Sequence, residues 1–598
     1  MDGMSLDLVS LQQAYGNGAS LEDVVRLVYR RIRAANDPGI FISLLDEEAA
    51  VARARTLGLY NPEKPLWGAP FAIKDNIDFA DLPTTAACPD FAYKPDENAF
   101  CVARLIAAGA IPIGKTNLDQ FATGLVGVRS PYPIPINACN LELTPGGSSS
   151  GSGVAVARGL VTFALGTDTA GSGRVPAGLN NIVGLKPTMG AVSTRGVVPA
   201  CRTLDCVSVF ALTVSDAYAV FKEMAGYDAK DSLSQSIYVP PLGPKPPRVR
   251  LAIPDAQSLT FGGDEVARAA FELAKEDAVS AGASIVEIDM TPFFEVARLL
   301  YEGPWVAERY QAVRDFIEKK PDALHPVTRA IIEGARRFSA ADAFGALYRL
   351  SDLTRAASAV WKDVDALMTP TFPRPRTLAE LQADPITPNS ELGVYTNFVN
   401  LMNLCALAAP TRKRTDGLPH GVTFIAPAGR DAQIAAFAAA IHQRAGVPLG
   451  ATGRRAPPAP VLPDRAGPGE IELAVVGAHL SGMALNSELT SRGARFLRAC
   501  ETTADYRLYA LPGGPPRRPG LLRVASNGSA IATEVWAVPE ATFGSFVAGV
   551  PAPLGIGTTL LADGTHPKGF IVENIATMGA EDITGWGGWR AYCASLAA

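Results

Sequence analysis

Two glycine- and serine-rich stretches, GGSSSGSG from Gly146 to Gly153 and GTDTAGSGR from Gly166 to Arg174, lie inside strongly apolar sequence. A flexible linker of that composition has polar, unstructured flanks. Here GVAVARGLVTFALG and VPAGLNNIVGLKPT enclose and follow the serines. Glycines and hydroxyls set among core-forming residues mark a place where backbone must approach something closely, so the stretch reads as a buried catalytic floor rather than a tether.

Serine chemistry needs a base. The five histidines, His325, His420, His442, His479 and His566, all lie far along the chain from the serines, although that does not prevent a meeting in space. Lys74, in PLWGAPFAIKDNID, has a more suggestive setting. Pro70 to Ile73 read as a short buried strand that carries the lysine to a strand end. Dehydration there disfavours the ammonium and can lower its pKa by several units, which leaves an amine able to accept a proton. Taken alone, such a lysine also fits a surface residue with a buried stem.

Lys74 in AIKDNID, Ser148 in PGGSSSGSG and Ser172 in GTDTAGSGRVPAG together resemble the amidase signature family in order and spacing. The resemblance implies a Ser-Ser-Lys triad that hydrolyses carboxamides: Ser172 attacks, Ser148 relays the proton, and Lys74 is base and then acid. It implies a cis peptide between Gly147 and Ser148, and an oxyanion hole of the Thr169, Ala170, Gly171 and Ser172 amides. Ser149 and Ser150 are expected as supporting hydroxyls, Asp168 as an orienting group and Arg174 as a brace for the loop. A triad of this type calls for no metal or cofactor, and the eight dispersed cysteines form no CxxC pair or zinc-ligand cluster.

At 598 residues, 48% hydrophobic and 19% charged, the chain is too long for one core and too apolar for disorder. A net charge of −5 argues against nucleic acid as a principal partner. With no signal-like N-terminus and no long apolar span, the expectation is a cytoplasmic enzyme without a membrane segment. Ser20 caps an amphipathic helix, and thereafter short apolar runs (PFAI, IPIG, LVTFALG, RLAIP) alternate with helical patterns. That alternation predicts an α/β fold with a mixed central sheet covered by helices. Residues 1–446 are assigned to this amidase domain and 447–469, rich in Pro and Gly, to a linker. Residues 470–598, with strand candidates ELAVVGA, DYRLYAL, GLLRVAS, AIATEVWAV and GFIVENI and a helix at EATFGSFVAGV, form a smaller β-rich α+β domain.

This extension, with VVGAHLSGMALN near its start, resembles the C-terminal domain of allophanate hydrolases, which is γ-glutamyl cyclotransferase-like. The resemblance implies a substrate, allophanate, whose carboxylate needs an arginine fork. Arg309 and Tyr301 match the carboxylate-holding positions and Gly124 in FATGLVG matches a backbone contact. On one helix Tyr301 and Arg309 would lie within about 80° of each other. By spacing alone they fit a surface arginine and a half-buried tyrosine equally well. His479 is the candidate acid or base for a second step, decarboxylation of N-carboxycarbamate, although a lone histidine is more often structural. His566 is expected in a turn. The resemblance further implies a homodimer linked in function to a biotin-dependent urea carboxylase. Two alternatives stand beside it: another small-amide amidase or amidotransferase A-type subunit, and a C-terminal domain that serves assembly without catalysis.

Overall fold

The apolar runs before residue 430 become one sheet of 11 strands. They are β1 (Phe41–Leu44), β2 (Pro70–Lys74), β3 (Ile111–Thr116), β4 (Phe163–Asp168), β5 (Val183–Lys186), β6 (Cys206–Ala211), β7 (Val249–Pro254), β8 (Ala283–Ile288), β9 (Ala366–Pro370), β10 (Leu404–Pro410) and β11 (Gly421–Pro427). The order is β1-β3-β2-β4-β6-β5-β10-β11-β9-β7-β8. The sheet is mixed: β2 runs parallel to β3 and β4, whereas β6 runs antiparallel to β4 and β5. The computed structural model describes residues 3–597.

Side-chain alternation assigns each face its layer. On β2, Phe71 and Ile73 join Phe163, Leu165, Val207 and Val209 under the helices Val214–Met224 and Asp431–Ala445. Ala72 points the other way, with Ile111, Ile113 and Ala164, toward the helix Leu21–Ala35. That helix starts where expected: the Ser20 hydroxyl accepts from the Asp23 amide, and Asn36 ends it in the left-handed region. Because helices cover both faces, β2, β3, β4, β5 and β6 are buried along their whole length, and they read as mostly apolar runs without the alternation of a half-exposed strand.

The C-terminal part contains a five-stranded sheet of β12 (Glu470–Val475), β13 (Arg495–Glu501), β16 (Ala532–Pro539), β17 (Leu554–Thr558) and β18 (Lys568–Val572), in the order β13-β16-β12-β18-β17. A smaller sheet joins β14 (Tyr506–Ala510), β15 (Pro519–Arg523) and β19 (Glu581–Asp582). The helix Glu540–Ala548 lies where EATFGSFVAGV places it, and Trp589–Ala597 adds another. β13 is hidden in sequence by its charges: Arg495 pairs with Glu470 and Arg498 with Glu472 and Asp563, so polar residues stand at positions that usually carry apolar ones.

The proline- and glycine-rich stretch is held down at both ends. Asn181 donates to the carbonyls of Pro448 and Gly450, the Ala451 amide donates to Ala157, and Leu449 is fully buried. Further on, Arg495 donates to the carbonyls of Pro463 and Arg465. Direct contacts also join the two parts: Tyr238 donates to Glu470, and the Arg248 amide donates to Ser481.

The Arg495–Glu470 pair is the polar centre of that junction, at 2.6 Å with side chains only 4% and 1% exposed. Removing one partner strands a buried charge at a cost of about 3 to 5 kcal/mol, whereas an apolar replacement of both is often neutral. Glu470→Ala should therefore destabilise the C-terminal part severely, and adding Arg495→Leu should restore much of the loss. A urea-unfolding double-mutant cycle measures both, and additive losses would show that the pair does not act as a unit.

Candidate active site

β2 and β4 lie side by side and parallel, so Lys74 and Thr167 arrive at the same end of neighbouring strands. Lys74, fully buried, donates to Ser148 Oγ at 2.8 Å and to Thr167 Oγ1 at 2.8 Å. Asn76 Nδ2 reaches the same threonine hydroxyl at 3.3 Å. Burial pushes the lysine amine down to about 7, helped by Arg309 and partly opposed by Asp119, Asp205 and Asp168. A lysine amine pushed down so far from its ordinary value can both take and return a proton.

Every residue from Gly146 to Gly153 is buried, and the Gly147–Ser148 peptide is cis. A Cβ on Gly147 would lie 2.0 Å from Asp119 Oδ2, closer than any atom fits. Asp119 in turn accepts the amides of Gly127 and Arg129, while its own amide donates to the Ser148 carbonyl. Ser148 is thus held by backbone bonds that glycine alone permits. Ser149 Oγ donates to the Thr167 carbonyl and Ser150 Oγ to that of Asn117. Ser152 Oγ, bound to the Leu165 carbonyl, fastens the helix Ser150–Ala157 to β4.

The second loop, Asp168 to Arg174, is organised by its own ion pair. Arg174 binds Asp168 through Nε at 2.9 Å and Nη2 at 3.0 Å, with both side chains fully buried. Burial alone would raise the Asp168 carboxyl, but Arg174 and Lys186 outweigh it and hold it below the usual carboxylate value. The carboxylate also accepts the amides of Gly171 (2.9 Å) and Gly173 (3.0 Å). The Gly171 amide, expected among the oxyanion donors, is therefore already committed to Asp168, which leaves Thr169, Ala170 and Ser172 of the expected set. Gly171 has φ +131°, and a Cβ there would meet Thr396 Oγ1 at 2.4 Å. Ser172 is 3% exposed, and Thr169 is tied through its hydroxyl to Asp205 at 2.5 Å.

Tyr301 and Arg309 come together, but not as one helical face. Tyr301 ends the helix Thr291–Glu302, Arg309 lies in the next helix, Val306–Lys319, and the chain turns between them at Gly303 to Trp305. The guanidinium lies 5.5 Å from the tyrosine ring centroid, with Nη2 3.4 Å from the hydroxyl. Its Nη1 donates to the Ala122 carbonyl at 3.3 Å and to Thr123 Oγ1 at 3.2 Å, and Gly124 follows directly. Arg309 is only 2% exposed, and its buried Nε has no hydrogen-bond partner among the described residues.

His479 lies elsewhere, in a pocket of the C-terminal part that Glu488 and Arg518 also line. Its Nε2 is 3.0 Å from Glu488 Oε2, and its ring stacks on Phe570 at 5.0 Å. His566 is exposed beyond a turn, and burial pushes His420 and His442 down to about 3 and about 4, which keeps them neutral. Sequence reading missed Thr167, Asn76, Asp119 and Asp205, all packed against the lysine or the serine loops, and Glu488 and Arg518 around His479. For Thr167 a signal existed, since it alternates inward on β4 two residues after Leu165.

The state of Lys74 is directly measurable. Selectively labelled lysine side chains followed by nitrogen-15 NMR should show one amine titrating near pH 7, charged below and neutral above, and missing in Lys74→Met. A titration above pH 9 would mean that burial does not govern this amine.

Two family models match the chain: that described as Amidase over residues 23–435 and that of the allophanate hydrolase C-terminal domain over residues 471–594. The chain is 44% identical to urea amidolyase of Saccharomyces cerevisiae over 98% of its own length and 33% of the yeast protein. It thus spans about a third of that relative. A glutamyl-tRNA(Gln) amidotransferase A-type subunit from Acidobacterium capsulatum is 33% identical over 64% of this chain and 87% of its own. Among solved structures, Kluyveromyces lactis allophanate hydrolase superposes with a TM-score of 0.78 at 41% identity, covering 99% of both chains. The chain therefore belongs to the amidase family, and carries behind its amidase fold the C-terminal domain of the allophanate hydrolases.

Proposed function

We propose that the chain hydrolyses allophanate, with Ser172, Ser148 and Lys74 as the reacting groups. The observation that carries this reading is Arg309: a guanidinium that is almost fully buried, stacked on Tyr301 and faced by no carboxylate within ion-pair distance among the described residues. Such a charge calls for an anionic ligand, and allophanate places a carboxylate at one end of a molecule whose other end is an amide. The likeness to Kluyveromyces lactis allophanate hydrolase over both chains supports the same substrate.

In this scheme Ser172 Oγ attacks the terminal amide carbon while its proton passes to Ser148, whose own proton passes to neutral Lys74. The loop amides hold the resulting oxyanion. Lys74 returns the proton through Ser148 to the leaving nitrogen, which departs as ammonia. Water then attacks the acyl-enzyme ester by the same relay and frees Ser172, giving N-carboxycarbamate. Protonation of that nitrogen releases carbon dioxide and leaves carbamate, which breaks down to ammonia and a second carbon dioxide. His479, paired with Glu488 in the C-terminal pocket beside Arg518, is assigned the proton transfer of this second step. The proposal extends to a cytoplasmic homodimer supplied by a biotin-dependent urea carboxylase, a link supported by the urea amidolyase relatives. Among the described residues no helix is long and apolar enough to cross a membrane.

Carbon-13 NMR of labelled allophanate separates the two steps. Ser172→Ala should yield a folded protein without hydrolysis, and His479→Ala should release the first ammonia while N-carboxycarbamate persists. Proton transfer by a positioned side chain contributes about 100-fold to 10,000-fold. Identical product time courses for wild type and His479→Ala would make the second step spontaneous. For specificity, Arg309→Gln should lower kcat/KM on allophanate by about 1.5 to 3 kcal/mol, the scale of a charged hydrogen bond, and barely alter the rate on a neutral amide. Equal losses on both would give Arg309 a structural role and remove the support for allophanate.

A further inference from the structure

Hydrolysis at Ser172 needs amides aimed at the developing oxyanion, and a backbone amide takes its direction from the peptide plane it belongs to. In the loop after β4 the amides of Thr169, Ala170 and Ser172 donate to no protein atom among the described residues. The pairing of β4 with β6 stops at Asp168, so the sheet does not take the Thr169 amide either. The peptides of this loop are trans. In a planar trans peptide the C=O and the following N–H point in opposite directions, and whatever holds the carbonyl therefore aims the amide.

Three of these carbonyls are held. That of Gly171 accepts the amides of Arg174 and Val175 at 2.9 and 2.8 Å, which sends the Ser172 N–H the other way. That of Ala170 accepts Thr396 Oγ1 at 2.7 Å, and the Gly171 amide of the same peptide reaches Asp168 on the opposite side. That of Asp168 accepts Asn400 Nδ2 at 2.8 Å, and the same peptide carries the Thr169 amide.

Asn400 comes from a short helix, Phe398–Leu401, 232 positions along the chain from Asp168. It is fully buried, its other N–H donates to the Leu204 carbonyl at 2.9 Å, and its Oδ1 accepts Arg174 Nη2 at 3.2 Å. Leu204 leads into Asp205, whose carboxylate takes the Thr169 hydroxyl and the amides of Ala200 and Cys201. The side chain of Thr169 and the carbonyl before it are thus both fixed, and its N–H is left over.

We infer that Asn400 is a positioning residue of the oxyanion hole: its hold on the Asp168 carbonyl keeps the Thr169 amide aimed at the oxyanion. Without that bond the Asp168–Thr169 peptide can turn over, and a turned peptide offers the oxyanion a carbonyl oxygen, which repels it. Among the described residues Asn400 makes no hydrogen bond to Lys74, Ser148 or Ser172, so it acts through the backbone. The inference rests on Ser172 being the nucleophile.

The test is the steady-state kinetics of full-length Asn400→Leu, which keeps bulk and loses both donors, and of Asn400→Ser, which leaves room for a water in their place. Losing one oxyanion donor costs about 100-fold to 1,000-fold in kcat, so Asn400→Leu should lose about 100-fold with KM within about twofold of wild type. The loss should be equal on allophanate and on a neutral amide. Asn400→Ser should lose only about tenfold, because water restores part of the hydrogen bonding. A small boronic acid, which forms a tetrahedral anion on the serine, should bind more weakly in proportion to the fall in kcat/KM. The nitrogen-15 titration of Lys74 should stay in place, since neither substitution changes a charge. Circular dichroism checks folding, and if Asn400→Leu does not fold, Asn400→Ser decides. A wild-type kcat in the folded variant, a loss confined to KM, or a displaced Lys74 titration overturns the inference. Hydrolysis retained in Ser172→Ala would instead remove the reading on which it rests.

Discussion

The contact on which the active site depends is the one between the Lys74 amine and Ser148 Oγ, made between two fully buried side chains. An ammonium cannot be buried cheaply, so the surroundings must either neutralise it or compensate it. Here three carboxylates, Asp119, Asp168 and Asp205, lie close enough to act on the lysine, yet each is committed to other donors: to loop amides, to Arg174, to Thr169. They soften the desolvation without capturing the proton. Moving any one of them into direct contact with Lys74 would convert a titrating amine into a permanent ion pair.

Two buried arginines show how differently the same side chain is used. Arg174 is saturated: it binds Asp168 through two nitrogens and reaches the Thr396 carbonyl and Asn400. It shapes a loop and leaves nothing for a ligand. Arg309 has neutral partners only, a carbonyl, a threonine hydroxyl and a phenol, which orient the guanidinium without cancelling its charge. The left-handed backbone at Phe121 and Ala122, unusual for residues with side chains, delivers the carbonyl that orients it.

Much of this was legible in the residues. The glycine and serine run announced a buried floor because only glycine tolerates the approach at Gly147, and β2 announced itself as an apolar run that ends in Lys74. The family resemblance supplied the pairing of Tyr301 with Arg309; the geometry behind it differs, since a turn between two helices, not a helical face, brings them together. What sequence could not show are partners chosen through space. Glu488 meets His479 across a loop, and Arg495 makes a charged strand look like a surface segment. The hidden strand β13 belongs to the same class, since its charges become acceptable only once Glu470, Glu472 and Asp563 are in place.

The fastened start of the proline-rich stretch bears on where the two halves can be parted. A cut at the compositional boundary near Gly446 would strip away Leu449, leave an apolar notch beside Ala157 and deprive Asn181 of both its acceptors. A cut after Arg454 keeps that latch closed, since the amide of buried Leu449 donates to the Arg454 carbonyl. Half-length proteins that end on either side of these contacts are therefore physically different molecules.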